Sequence, residues 1–207
     1  MIHPDTEVRF INDEVGYGVV ATKLIPKGTI TWVQDDFDQE FTKEEFDKMS
    51  PHYQSVLKFY SFRNKKGNFV LCWDIGRFVN HSFKSNCLTT AYDFEVAIRD
   101  IQPGEQLTDD YGYLNIEEPF RGIDERTKRK VVYPNDLEKY HTVWDNQLKK
   151  VFPSLPKLQQ PLGHLLSSDT WNKVNDIIEQ KREMDSILSN LYPALKEAKW
   201  TAPKKQS

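Results

Sequence analysis

Every β-like run in the first half of this 207-residue chain is short, and turn chemistry stops each one. VRFI at 8–11 is followed by a turn region containing Gly16 and Gly18. GVVATKLI at 18–25 alternates as a strand does and ends in Ile25-Pro26-Lys27-Gly28, ahead of TITWV at 29–33. LKFYSF at 57–62 and FVLCWD at 69–74 flank Asn-Lys-Lys-Gly-Asn as the arms of a hairpin. DFEVAIRD at 93–100 is a further strand, and the chain then turns at Pro103-Gly104. Thr42 and Glu45 have the spacing of a capping box, with Phe46 and Met49 on one side, which predicts a helical insert at about 42–58.

The pattern then changes. Residues 117–134 are charged and poor in apolar groups, as in a loop or linker, and the RTKRK run at 126–130 reads as a solvated charged loop. From Asn135 the period is helical, with Leu137, Tyr140, Trp144, Leu148 and Val151 three or four residues apart until Pro153, Pro156 and Pro161 break it. A second helix starts near Ser168 or Asp169. Its apolar face, Trp171, Val174, Ile177 and Ile178, continues through Met184, Ile187, Leu188 and Leu191 as a packing stripe. The final TAPKKQS is polar and expected to fray. The expected organisation is a domain at 1–115, a linker at 116–134 and a helical extension at 135–207.

Composition narrows the function classes. A chain with 12 Phe, 9 Tyr and 5 Trp has the volume for a packed core, and a net charge of -3 gives no global attraction to nucleic acid or an anionic membrane. Cys72 and Cys87 alone cannot form a disulfide framework or a four-ligand zinc site, and no other histidine sits at ligand spacing from His81, so no metal site is expected. Neither a secretory signal nor a membrane span is evident. The expected location is intracellular, cytoplasmic first, with the nucleus or export as an effector left open.

Three segments are site-like. Gly16-Tyr17-Gly18 bares its backbone to a ligand or simply makes a hairpin turn, and it lacks the third glycine of a dinucleotide fingerprint. Asn80-His81-Ser82, inside RFVNHSFKSN, sets hydrogen-bonding side chains beside apolar ones, either to hold a ligand or to lock a loop. Asp109-Asp110-Tyr111-Gly112-Tyr113 offers two acids and two tyrosines. On a strand the adjacent carboxylates face opposite sides, which argues against a glycosidase pair, whereas Tyr111 and Tyr113 share a face and can wall a channel.

In that order and spacing, GYG, RFVNHS and GEQLTDDYG resemble the SET-domain family of S-adenosylmethionine-dependent protein lysine methyltransferases. The connecting GVVATKLIPKGT and AIRDIQPGEQLT are similar too, so the resemblance covers about residues 6–115. The later Trp144-Asp145 and Gln160-Pro161-Leu162 resemble elements of a helical tail found in some bacterial SET proteins. The resemblance implies a mostly β SET fold: several short sheets around a knot-like core in which the NHS and DYG segments thread together, with an inserted helix and an α-helical C-terminal extension. It implies methyl transfer to the side-chain amine of a lysine presented by a protein. Tyr111 matches the catalytic tyrosine. Gly16, Tyr17, Gly18, Asn80 and His81 match cofactor-binding positions, while Tyr113, Asp109 and, more loosely, Tyr60 from another strand match the lysine channel.

The chain departs from the family at three points. Asp109 stands where many relatives carry Phe or Tyr, and that residue helps set how many methyl groups fit. Phe83-Lys84-Ser85-Asn86 replaces the usual Cys-x-Pro-Asn, keeping only Asn86. No cysteine-rich zinc segment follows the DYG motif, so either residues 115–150 close the channel by helix packing or the site is more open. The alternative reading is a weak or inactive SET-like module that binds a lysine-bearing partner.

Overall fold

The computed structural model describes residues 1–195 together with Trp200 and Pro203; the expected fraying of the TAPKKQS tail otherwise lies outside the described residues. β1 (Thr6–Asn12) and β2 (Gly16–Ala21) form an antiparallel hairpin. Its turn is made locally. Asn12 Oδ1 accepts from the backbone N–H groups of Glu14 (3.0 Å) and Val15 (2.9 Å), and Gly16 takes φ +76°, which a side chain would strain. The chain continues through β3 (Ile30–Val33), β4 (Gln39–Phe41), α1 (Lys43–Lys48), α2 (Pro51–Tyr60), β5 (Ser61–Arg63) and β6 (Phe69–Leu71). Then come β7 (Asn80–His81), β8 (Cys87–Thr89), β9 (Phe94–Ala97), β10 (Thr108–Asp109), β11 (Phe120–Arg121), β12 (Val131–Val132), α3 (Asp136–Val151) and α4 (Ser168–Ile178).

The sheets are small, as expected of this fold. Strand order β3-β9-β8 makes one antiparallel sheet and β4-β6-β5 another; β11 pairs with β12, and β7 runs parallel to β10. The expected capping box opens α1: Glu45 N–H donates to Thr42 Oγ1 (3.2 Å) and Thr42 N–H to Glu45 Oε2 (2.7 Å). The hairpin around Asn64–Asn68 also forms, with Asn64 Oδ1 accepting from Lys66 N–H (3.0 Å) and Asn68 N–H (3.1 Å). Its first arm is shorter than the sequence suggested. Residues 57–60 end α2, because Pro51 fixes that helix's first turn and Leu57 seats its face on Phe46 and Phe69.

The extension is packed onto the β-rich part through a common core. Ile30, Leu88, Phe94 and Val96 of the β3-β9-β8 sheet share one apolar cluster with Leu137, Trp144, Leu148 and Val151 of α3. Burial of each such side chain is worth about 1.5–3 kcal/mol. Gln160 stitches the same contact with polar bonds: its Oε1 accepts from Ile30 N–H (2.8 Å), and its Nε2 donates to the carbonyls of Gly28 and Leu155 (2.9 Å each).

The second stripe is not one helix. α4 stops at Ile178, and Gln180 takes φ +60°. Met184, Ile187, Leu188 and Leu191 still reach the core, from a 3-10 turn at Ile187–Asn190 and the residues flanking it. Asp145 makes that turn possible by accepting from Ser186 Oγ (2.6 Å) and Ile187 N–H (2.9 Å), which replaces the helical partners lost at the break. None of the helices among the described residues is long and apolar enough to cross a membrane.

Candidate active site

β7 and β10 bring the two central segments into register, Asn80 opposite Thr108 and His81 opposite Asp109. The glycine hairpin lies against them. Asn80 Nδ2 donates to the Tyr17 carbonyl (3.0 Å) and to Gln106 Oε1 (3.1 Å). Gly18 has no room for a side chain, since a Cβ would lie 2.5 Å from Gln106 Oε1 and 2.7 Å from Asn80 Nδ2. Asn86 ties the loop after His81 to the approach to β10, donating to the Gln106 carbonyl (2.7 Å) and accepting from Thr108 N–H (2.9 Å). Tyr17, Gly18 and Asn80 are thus brought together, with Gly16 and His81 as their chain neighbours, although Tyr17 is 58% exposed and its ring leans edge-on against Phe10.

His81 and Tyr111 form the centre of an aromatic cluster. Tyr111 N–H donates to His81 Nδ1 (3.2 Å), which leaves the proton of the neutral ring on Nε2. Burial depresses the His81 pKa, against the opposing pull of Asp110, so the neutral ring prevails at pH 7. The Tyr111 phenol donates to the Val79 carbonyl (2.6 Å), and burial raises its pKa, so it stays protonated. Phe83 and Phe120 pack on His81 with centroids 4.5 and 5.2 Å away, and Phe120 is 6.0 Å from Tyr111. Tyr60 ends α2 rather than sitting in a strand; it reaches this region through Phe78, 5.6 Å away and next to Val79.

Tyr113 does not share a face with Tyr111, because 111–113 is a 3-10 turn and not a strand. Asp110 makes the turn: its Oδ1 accepts from Gly112 N–H (3.0 Å), while its own N–H donates to the Tyr113 hydroxyl (3.0 Å). Tyr113 is therefore drawn inward. It packs edge-on against Trp144 and donates to Asp109 Oδ1 (2.9 Å), so it does not line a channel beside Tyr111. Asp109 is buried and hydrogen-bonded to Glu95 as well. Burial raises the pKa of both carboxyls, and their mutual contact adds to this at Glu95, so the pair retains a proton. Asp109 and Asp110 do not converge, which disposes of the glycosidase arrangement.

Residues 116–134, expected as a linker, contribute side chains to this site. The RTKRK run is not wholly solvated, for Arg129 is half-buried between two carboxylates. It pairs with Asp110 through both guanidinium nitrogens (Nη2 to Oδ1 3.0 Å) and with Asp136 Oδ2 (2.8 Å), and it lies 5.0 Å over the Phe83 ring. Glu125 accepts from Ser82 Oγ (2.6 Å) and Phe83 N–H (2.7 Å). Gly122 passes so close to His81 that a Cβ would lie 3.1 Å from its Nε2. Phe120, Gly122, Glu125, Arg129 and Gln106 were not singled out from sequence. Each acts through a partner distant in the chain, and no local spacing marks such pairings.

The residues fit a ligand with hydrogen-bonding edges, such as S-adenosylmethionine. His81 Nε2 is buried and has no hydrogen-bond partner, and the backbone at Gly16 is open, with nothing within 4 Å of the position of a Cβ. Among the described residues no three His, Cys, Asp or Glu side chains are grouped to hold a metal ion.

Residues 16–112 match the SET domain family model. The chain is 28% identical over 127 residues to Histone-lysine N-methyltransferase ASHH2 of Arabidopsis thaliana, a match covering 52% of this chain and 7% of that protein. It is also 28% identical over 117 residues to Histone-lysine N-methyltransferase Set2 of Drosophila melanogaster, covering 51% of this chain and 5% of that protein. The match therefore spans less than a tenth of either relative's length. Segment order and the family match agree on residues 16–112, just under half of this chain, as the part that matches a SET domain.

Proposed function

We propose that this chain transfers the methyl group of S-adenosylmethionine to the side-chain amine of a lysine in a protein substrate. The observation that carries the reading is the protonated, half-buried phenol of Tyr111, fixed on the Val79 carbonyl and joined through His81 to Asn80 and its hydrogen bond to the Tyr17 carbonyl. When bound, the cofactor supplies a sulfonium-activated methyl group for in-line attack. Asn80, His81 and the bare backbone of 16–18 hold that molecule. Tyr111, with the Val79 carbonyl, orients the incoming amine, and such positioning is the main catalytic resource of the site.

The amine has to arrive uncharged. Deprotonating a free lysine at pH 7 costs about 4–5 kcal/mol, from a reference pKa near 10.4. Loss of water around the bound amine and the like charge of the cofactor's sulfonium both disfavour the ammonium and so reduce that cost, and no separate general base is needed. The names of the relatives, both histone-lysine methyltransferases, support a protein substrate.

A second reading, a SET-like module that binds a lysine-bearing partner without turnover, is favoured by the retreat of Asp109 and Tyr113 into the core. Incubation with labelled S-adenosylmethionine and a cell lysate, followed by mass spectrometry, separates the two. Label on a lysine of a protein supports the enzyme; cofactor binding in calorimetry with no label on any protein supports the module. Asn80→Ala removes the donor to Tyr17 and Gln106 and is expected to weaken cofactor binding about tenfold in the same calorimeter.

A further inference from the structure

The β11–β12 hairpin has only two residues in each strand, too few to hold a ribbon by its own ladder. What fixes it is a set of side-chain bonds to the site. Both oxygens of Glu125 are used on the loop after His81, one on Ser82 Oγ and one on Phe83 N–H. The guanidinium of Arg129 grips Asp110, whose other contacts shape the turn that carries Tyr111. Phe120 and the backbone at Gly122 lie against His81.

We propose that Glu125 and Arg129 are positioning residues that strap residues 120–132 across the His81–Tyr111 cluster, Glu125 holding the cofactor-side loop and Arg129 holding the turn before Tyr111. The inference rests on the methyl-transfer reading and deepens it. The strap is held by two anchors of opposite design. Glu125 brings an anion to two neutral donors. Arg129 brings a planar fork to two anions, a geometry that lysine cannot reproduce.

The two anchors bond different segments, Glu125 the loop after His81 and Arg129 the turn that carries Tyr111, so they predict different kinetic defects. With the full-length chain, Glu125→Gln should raise the KM for S-adenosylmethionine about tenfold and change kcat less than about threefold. Arg129→Lys keeps the charge and loses the fork; it should lower kcat about tenfold and change that KM less than about threefold. Trypsin provides a readout that needs no turnover. Arg126 and Lys128 are exposed within the strap, and both variants should be cut there faster than the wild type while cleavage elsewhere is unchanged.

The divided kinetic effect together with faster strap cleavage supports the assignment. Wild-type constants and cleavage in both variants overturn it. So does a joint loss in KM and kcat that follows the melting temperature, since that marks a general structural role. A wild-type chain that transfers no methyl group overturns the methyl-transfer reading itself, and the strap assignment with it.

Discussion

Two neighbouring carboxylates, Asp109 and Asp110, are both buried, yet their charge is managed in opposite ways. Asp110 meets a cation: Arg129 binds it together with Asp136, and the side chains of both acids are almost fully covered. Asp109 meets another acid, Glu95, and the pair keeps a proton instead of gaining a counter-ion. Tyr111 follows directly after them, so its surroundings combine an ion-pinned turn on one side with a proton-sharing pair on the other. The lesson is that burial of an acid does not fix its role; what it faces does.

The largest effect that tests this contrast is Arg129→Met. It leaves Asp110 and Asp136 buried without their cation and should destabilise the fold by about 3–5 kcal/mol, read from urea unfolding at pH 7. Asp110→Asn should cost less, about 1.5–3 kcal/mol, because Arg129 keeps Asp136. Asp109→Asn is the discriminating counterpart. An amide at 109 can donate to Glu95 and still accept from Tyr113, so stability at pH 7 should hold within about 1 kcal/mol or rise. Equal losses at 109 and 110 would erase the contrast.

The smallest effect concerns pH. Carboxyls with raised folded-state pKa values bind protons more tightly folded than unfolded. Their contribution is therefore present at acid pH and lost as pH climbs from the ordinary carboxylate range, about 4, through the raised folded values. Glu95→Gln should flatten that loss, giving a smaller decline in melting temperature between about pH 4 and 7 than the wild type shows. A steeper decline in the variant would mean that the pair is not the group responsible.

Much of the fold was legible because it is written locally. The Thr42–Glu45 cap, the Asn64–Asn68 turn and the helical period of α3 each depend on residues a few places apart. The GYG, NHS and DYG segments stand out by residue type, and the fold links Gly18 to Asn80 and His81 to Tyr111. What could not be read was long-range or competitive. Tyr111 and Tyr113 alternate as in a strand, but the Asp110 side chain captures Gly112 N–H and curls the segment instead. The apolar period after Ile178 looks helical, yet Asp145, distant in sequence, supplies the bonds that let the chain turn. Arg129 looked like one cation in a charged run, and only its two carboxylate partners reveal otherwise.

The most direct test of the central claim is a comparison of the wild type with Tyr111→Phe, using labelled S-adenosylmethionine and a lysine-bearing protein identified from the lysate. Loss of the hydroxyl should lower turnover about 100-fold, or ~2.7 kcal/mol of activation free energy, with cofactor affinity and the circular dichroism spectrum retained. Turnover by the Phe variant equal to that of the wild type would contradict the account.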